Sequence, residues 1–153
     1  VPTFEEVKAY LEQRGFSVLR FNVDTSTSEK AARAVGCSVG EIAKTMLFLV
    51  GNQPVVVIAS GDKKVRGSLL KKTAGLRGKV RLPEPETVRR LLGYDPGGVC
   101  PFLLPRDIPV FIDSSLRRYS TVYPAAGTAD TAVPMTVDDL LAITGGKEAR
   151  VCE

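Results

Sequence analysis

Three groups of residues in this chain could carry chemistry, and histidine is in none of them, because the sequence contains no histidine. The first group is Lys44 in the run Ala43-Lys44-Thr45-Met46-Leu47-Phe48-Leu49-Val50. Strand alternation places Lys44 on the face of Met46 and Phe48, and Thr45 on the face of Leu47 and Leu49. If the Met46 face is the inner one, the ammonium enters an enclosed space and needs an anion or a carbonyl to meet it. Otherwise it is a strand-end lysine reaching for water. The second group is the loop Gly97-Gly98-Val99-Cys100-Pro101. Two glycines let the backbone approach a ligand and aim successive N–H groups at one oxygen. Such a loop polarises an ester carbonyl and holds a developing oxyanion. The same residues also read as a helix end followed by a turn. The third group is Asp113-Ser114-Ser115 after the apolar Val110-Phe111-Ile112, where a carboxylate at a strand end caps the next turn.

The missing histidine excludes the Ser-His-Asp and Cys-His arrangements, the H-E-x-x-H zinc site and any imidazole acid or base. Cys100 therefore has no histidine to activate it as a nucleophile. The three cysteines, Cys37, Cys100 and Cys152, are odd in number and form no C-x-x-C pair, so neither a cysteine zinc site nor a disulfide framework is expected. No metal and no cofactor is expected, and a reducing, cytoplasmic setting fits. The acidic start of the chain is no signal peptide, and the longest apolar run, Met46 to Val50, is too short for a membrane span. The net charge is +4. Eight of the 21 basic residues, Lys63, Lys64, Arg66, Lys71, Lys72, Arg77, Lys79 and Arg81, fall between Asp62 and Arg81. The cluster is either a solvated helix face or a patch that tracks phosphates.

The elements that must position these groups follow from capping and periodicity. Helices are predicted after Thr3, after Ser26 as the start of a capping box, over 65–74, over 84–92 with Pro85 in the first turn, and from Thr136 to Ile143. Strands are predicted over 16–23, 43–50, 54–59, 79–82, 109–113, 121–126 and 131–135. Gly51-Asn52 joins the second and third as a hairpin, and the turn at Gly127 joins the last two as another. The final residues carry no signal. The expected fold is a single α/β domain, 1–153, built on a mixed, barrel-like sheet surrounded by helices.

The order of these groups resembles the YbaK/prolyl-tRNA synthetase editing-domain family of aminoacyl-tRNA deacylases. The residues that carry the likeness are Ser28 to Gly36, Ile42-Ala43-Lys44-Thr45, Ser60-Gly61-Asp62-Lys63-Lys64-Val65, the loop from Gly93 to Phe102, Asp113-Ser114-Ser115-Leu116 and Ala126-Gly127. The resemblance implies hydrolysis of the ester that joins a wrong amino acid to a tRNA, with Cys, Ala or Ser on tRNA-Pro as typical cases. It implies tRNA, and with it an aminoacyl-tRNA synthetase, as partners. By that likeness Lys44 is the essential lysine, and Gly97 and Gly98 are the catalytic backbone. Thr45, Phe21, Asn22, Val99, Cys100, Pro101 and Gly127 belong to the substrate pocket, and Asp113 is its acid. Phe21-Asn22 and Leu103 stand where members carry histidine. Lys63, Lys64, Arg66, Lys71, Lys72 and Arg81 would then meet the acceptor stem. A non-catalytic tRNA-binding or RNA-binding module on the same fold is the alternative.

Overall fold

The structure is a computed structural model, and it describes residues 2–153. Five helices form where caps and apolar spacing coincide. In α1 (Phe4–Glu12) Thr3 and Glu6 cap each other's backbone, and Val7 and Leu11 are buried. Next come α2 (Ser28–Val35), α3 (Gly67–Ala74) and α4 (Pro85–Leu92), and then α5 (Val137–Thr144), which repeats the reciprocal cap with Thr136 and Asp139. The cap of α2 is Thr27 rather than Ser26: its hydroxyl accepts from the Lys30 N–H.

The strands are β1 (Leu19–Arg20), β2 (Ala43–Val50), β3 (Gln53–Ser60), β4 (Val80–Arg81), β5 (Val110–Asp113), β6 (Thr131–Ala132) and β7 (Lys147–Ala149). The β2–β3 hairpin forms as expected. The main sheet has the order β4-β2-β3-β5-β7, with antiparallel pairs on one side of β3 and parallel pairs on the other. It is mixed, but it does not close into a barrel: β4 and β7 are free edges. β3 is central and buried on both faces from Val55 to Ser60, which accounts for its unbroken β-branched run.

Alternation sorts the two faces. Ala43, Leu47, Val56, Ile58 and Ile112 pack with Val7, Leu11, Val88, Leu92, Val137 and Leu140 of α1, α4 and α5. Phe48, Val50, Val55, Val57 and Phe111 pack with Leu70 of α3. Both faces are therefore covered.

Three segments differ from expectation. The strand over 16–23 contracts to β1, which pairs with β6 across the chain. The second hairpin reduces to a single bridge, Val122 with Met135, and one further bond from the Val133 N–H to the Pro124 carbonyl. Pro124 and Pro134 remove ladder donors there, and β6 pairs elsewhere. The final residues, silent in sequence, form the edge strand β7 and a buried segment beyond it.

Candidate active site

Lys44 and Thr45 open β2, in register with Ala59 and Ile58. Farther along the chain α4 ends at Gly93 in the left-handed region, φ +81°, and the chain turns into a 3-10 turn, Pro96–Gly98. The two places meet. Lys44, Thr45, Gly97 and Val99 border one cavity of about 90 Å³, closed by 25–28 at the start of α2 and by Tyr123 and Thr131. The cavity wall is rich in hydroxyls, and those of Thr25 and Thr45 are buried without a hydrogen-bond partner among the described residues.

Lys44 takes the Met46 face, as alternation requires, and that face is an inner one. Its ammonium is half-buried, and its Nζ donates to the carbonyl of Lys63 in the turn after β3. A carbonyl meets the charge without neutralising it. Gly61 brings this turn close to α2: a Cβ there would stand 2.5 Å from the Val39 carbonyl and 2.7 Å from the Ser28 Cβ.

The two loop glycines do different work from that expected. The Gly98 N–H already donates to the Asp95 carbonyl at 2.8 Å, so it does not point at a ligand. Gly98 is instead a packing residue: a Cβ would lie 3.0 Å from the Thr128 Cα and 3.1 Å from the Gly127 carbonyl. The N–H groups of Gly97 and Val99 make no hydrogen bond among the described residues, and both residues border the cavity. They are the donors available to an oxyanion. Past the turn, Pro101 is buried, and Leu103 adopts φ +54°, rare for a branched side chain.

Cys100 is fully buried, and its Sγ lies 3.8 Å from the Phe102 carbonyl, which also accepts from the Tyr94 hydroxyl. Burial pushes its thiol up to about 11. It is a core residue, not a nucleophile.

Other expected members lie apart. Asp113 is 2% exposed and does not border the cavity. It caps the 3-10 turn Ser114–Arg118 by accepting from the Ser115 N–H, and it also accepts from the N–H groups of Val151 and Cys152. Phe21 and Asn22 line a neighbouring open depression of about 540 Å³ with Thr128 and Ala129. Gly127, at φ +97°, packs under Tyr94 and Val7 and carries the backbone that supports Gly98. The basic cluster lies along α3, β4 and the turns beside them. Among the described residues α3 is the helix that packs into the core on that face of the sheet, opposite the face packed by α1, α4 and α5. Lys63 and Lys64 sit in the turn after β3, whose Lys63 carbonyl accepts the Lys44 ammonium. None of Lys63, Lys64, Arg66, Lys71, Lys72 and Arg81 has a carboxylate partner among the described residues, whereas Arg20, Lys30, Arg89, Arg117 and Arg118 do.

The hydroxyls at 25–28 escaped the sequence reading. Their signal is the run Thr25-Ser26-Thr27-Ser28, four small polar residues at the entry to α2, of which capping accounts for only part. No group of three or more His, Cys, Asp or Glu side chains is placed to hold a metal among the described residues.

The model for the aminoacyl-tRNA editing domain matches residues 22–143. The Bacillus subtilis protein YwhH, named only as uncharacterized, is 35% identical over 90% of this chain and 88% of its own length. A protein of Enterococcus faecalis named "Putative Cys-tRNA(Pro)/Cys-tRNA(Cys) deacylase EbsC" is 27% identical, covering 84% of this chain and 78% of its own. A crystal structure described as "a putative trans-editing enzyme for prolyl tRNA synthetase" superposes with a TM-score of 0.88 at 32% identity, over 100% of this chain and 98% of that one. The cavity between the lysine strand and the glycine loop is thus found in a chain that belongs to the aminoacyl-tRNA editing-domain family.

Proposed function

We propose that the protein is a cytoplasmic trans-editing deacylase. It would hydrolyse the ester between a small, wrongly attached amino acid and tRNA, with Cys, Ala or Ser on tRNA-Pro as its substrates and prolyl-tRNA synthetase as the enzyme whose errors it clears. The observation that carries this reading is the convergence of Lys44 and the Gly97–Val99 backbone on one cavity. At about 90 Å³ that cavity is far smaller than the roughly 300–1,000 Å³ of sites that enclose whole small molecules. It suits an amino-acid side chain and leaves the terminal nucleotide outside.

The chemistry needs no imidazole. The N–H groups of Gly97 and Val99 polarise the ester carbonyl and receive the oxyanion. Lys44 orients the ester or the terminal ribose by charge-assisted hydrogen bonds. Water, or water directed by a substrate hydroxyl, adds to the carbonyl carbon. The tetrahedral intermediate then expels the ribose oxygen, which takes up a proton, and the amino acid leaves as its acid. Catalysis is positioning and electrostatics. The unpaired cations from Lys63 onward attract the acceptor stem.

The test is a deacylation panel of mischarged tRNAs with the wild type and Lys44→Ala. The variant is expected to fold normally and to lose at least about a hundredfold in rate. An unchanged rate overturns the assignment. If the wild type binds charged tRNA but releases no amino acid, the protein is a binding module on this fold.

A further inference from the structure

We propose that Asp113 is a positioning residue for Lys44, acting through the segment 151–153 rather than by touching substrate. The proposal rests on Lys44 being the reacting-site lysine, as argued above.

Asp113 Oδ1 accepts from the N–H groups of Val151 at 2.8 Å and Cys152 at 3.1 Å, while Oδ2 accepts from Ser115 at 3.0 Å. The carboxylate is thus fixed by three donors and closed to solvent, which offsets the cost of burying its charge. The segment it holds is laced to the turn after β3. The Val151 carbonyl accepts from the Arg66 N–H at 2.8 Å, the Glu153 N–H donates to the Lys64 carbonyl at 3.1 Å, and Val65 bridges Cys152. These contacts hold Lys64, Val65 and Arg66. The next residue back is Lys63, whose N–H is tied to the Ser60 carbonyl at 3.1 Å and whose own carbonyl accepts the Lys44 ammonium. Burial and then Asp113 push the Cys152 thiol up to about 12, while the charges of Lys44 and Lys63 act against them. Both lysines therefore sit close to this junction.

The logic is one of stiffness. A lysine ammonium rides on four flexible carbons, and a misplacement on the order of 1 Å can cost about a hundredfold in rate. Lys44 has one backbone carbonyl to fix it, so the placement of that carbonyl matters. Apart from the two end side chains, every link from Asp113 to Lys44 is main chain. The relay depends on an acceptor oxygen at residue 113 and not on its charge.

That difference sets the experiment. Asn at 113 keeps an Oδ1 able to accept from Val151 and Cys152. It gives up only the acceptor facing the Ser115 N–H, which caps the next turn and is no part of the relay, whereas Ala loses all three. For Asp113→Asn we expect kcat within about threefold of wild type and an unmoved NMR resonance for the Lys44 ammonium, assigned by its disappearance in Lys44→Arg. For Asp113→Ala we expect kcat to fall about a hundredfold with KM little changed, and the ammonium resonance to shift or broaden. Loss in Asp113→Asn as deep as in Asp113→Ala would make Asp113 a charged member of the site and overturn the proposal. So would an unmoved Lys44 resonance in folded Asp113→Ala. If Asp113→Ala does not fold, Asp113→Asn decides alone: retained kcat and resonance support the brace, and loss of either overturns it. A wild type that cleaves no charged tRNA would sink the deacylase reading while leaving the resonance comparison intact.

Discussion

A lysine met by a neutral carbonyl keeps its charge for a ligand, and in this site that charge has no protein rival: no carboxylate pairs with Lys44 among the described residues. The same economy governs the thiols. Cys100 and Cys152 are buried, with thiols pushed up to about 11 and about 12, and Cys37 is half-buried with its thiol also raised by burial. A disulfide-exchange reagent at neutral pH should therefore label Cys37 slowly and the other two only after denaturation. Deacylation should survive the labelling. Rapid loss of activity tracking modification of Cys100 would contradict the core role assigned to it. The residues proposed for the chemistry were legible in sequence, because Lys44 and the double glycine stand out against an apolar strand and a proline-rich loop. The division of labour between the glycines was not. It depends on which carbonyl, Asp95 or a ligand's, the Gly98 N–H meets, and that is fixed by a 3-10 turn that spacing does not reveal.

At the scale of elements, Gly98 is a spacer between the loop and 127–128. Gly98→Ala must push backbone against backbone, so a loss of about 1–3 kcal/mol is expected in denaturant unfolding, together with a displaced Gly97 and a lowered kcat. Gly97→Ala meets only the Ser26 and Ala129 side chains, at 3.3 and 3.7 Å, and should cost less stability. Equal stability losses in the two variants would remove the distinction. The helices and the β2–β3 hairpin could be read from the chain because their signals are local: reciprocal caps at Thr3 and Thr136, a Gly-Asn turn, and alternation along β2. The β1–β6 pair and the edge strand β7 could not. Two or three residues paired across more than 30 or 100 positions carry no periodicity of their own, and Lys147-Glu148-Ala149 looks like any polar tail.

Across the whole molecule, charge sets two expectations. Neutralising Lys63, Lys64, Lys71 and Lys72 together should weaken tRNA binding and flatten its dependence on salt, by about one unit of logarithmic slope per lost phosphate contact. Because the Lys63 carbonyl accepts the Lys44 ammonium, the Lys63 and Lys64 pair should account for more of the effect on turnover than Lys71 and Lys72, which lie farther along the chain on α3. An unmoved slope would leave the cluster a solvated face. The second expectation concerns pH. An Arg118 hydrogen bond holds Asp62 below the usual carboxylate range. The Thr128 hydroxyl, followed by Arg20, does so for Asp130. At Asp113 burial works upward, but the hydrogen bonds from Ser115, Val151 and Cys152 outweigh it. Carboxyls lowered on folding stabilise the native state above the unfolded value of about 3.9 and lose that contribution as pH falls through their folded values. Thermal stability should therefore drop only below about pH 4. With no imidazole to titrate, it should show no side-chain step from about pH 5 to 8. A transition near pH 6 would contradict this.

The open sheet has one more consequence. A closed barrel has no free edge strands, but this sheet exposes β4 and β7 to any passing strand. Both edges are poor templates: β4 is two residues long and leads into Pro83, and β7 presents Lys147 and Glu148. Short, charged, proline-flanked edges discourage growth by strand addition. The protein can thus keep an incomplete sheet without inviting the self-assembly that longer apolar edges would seed.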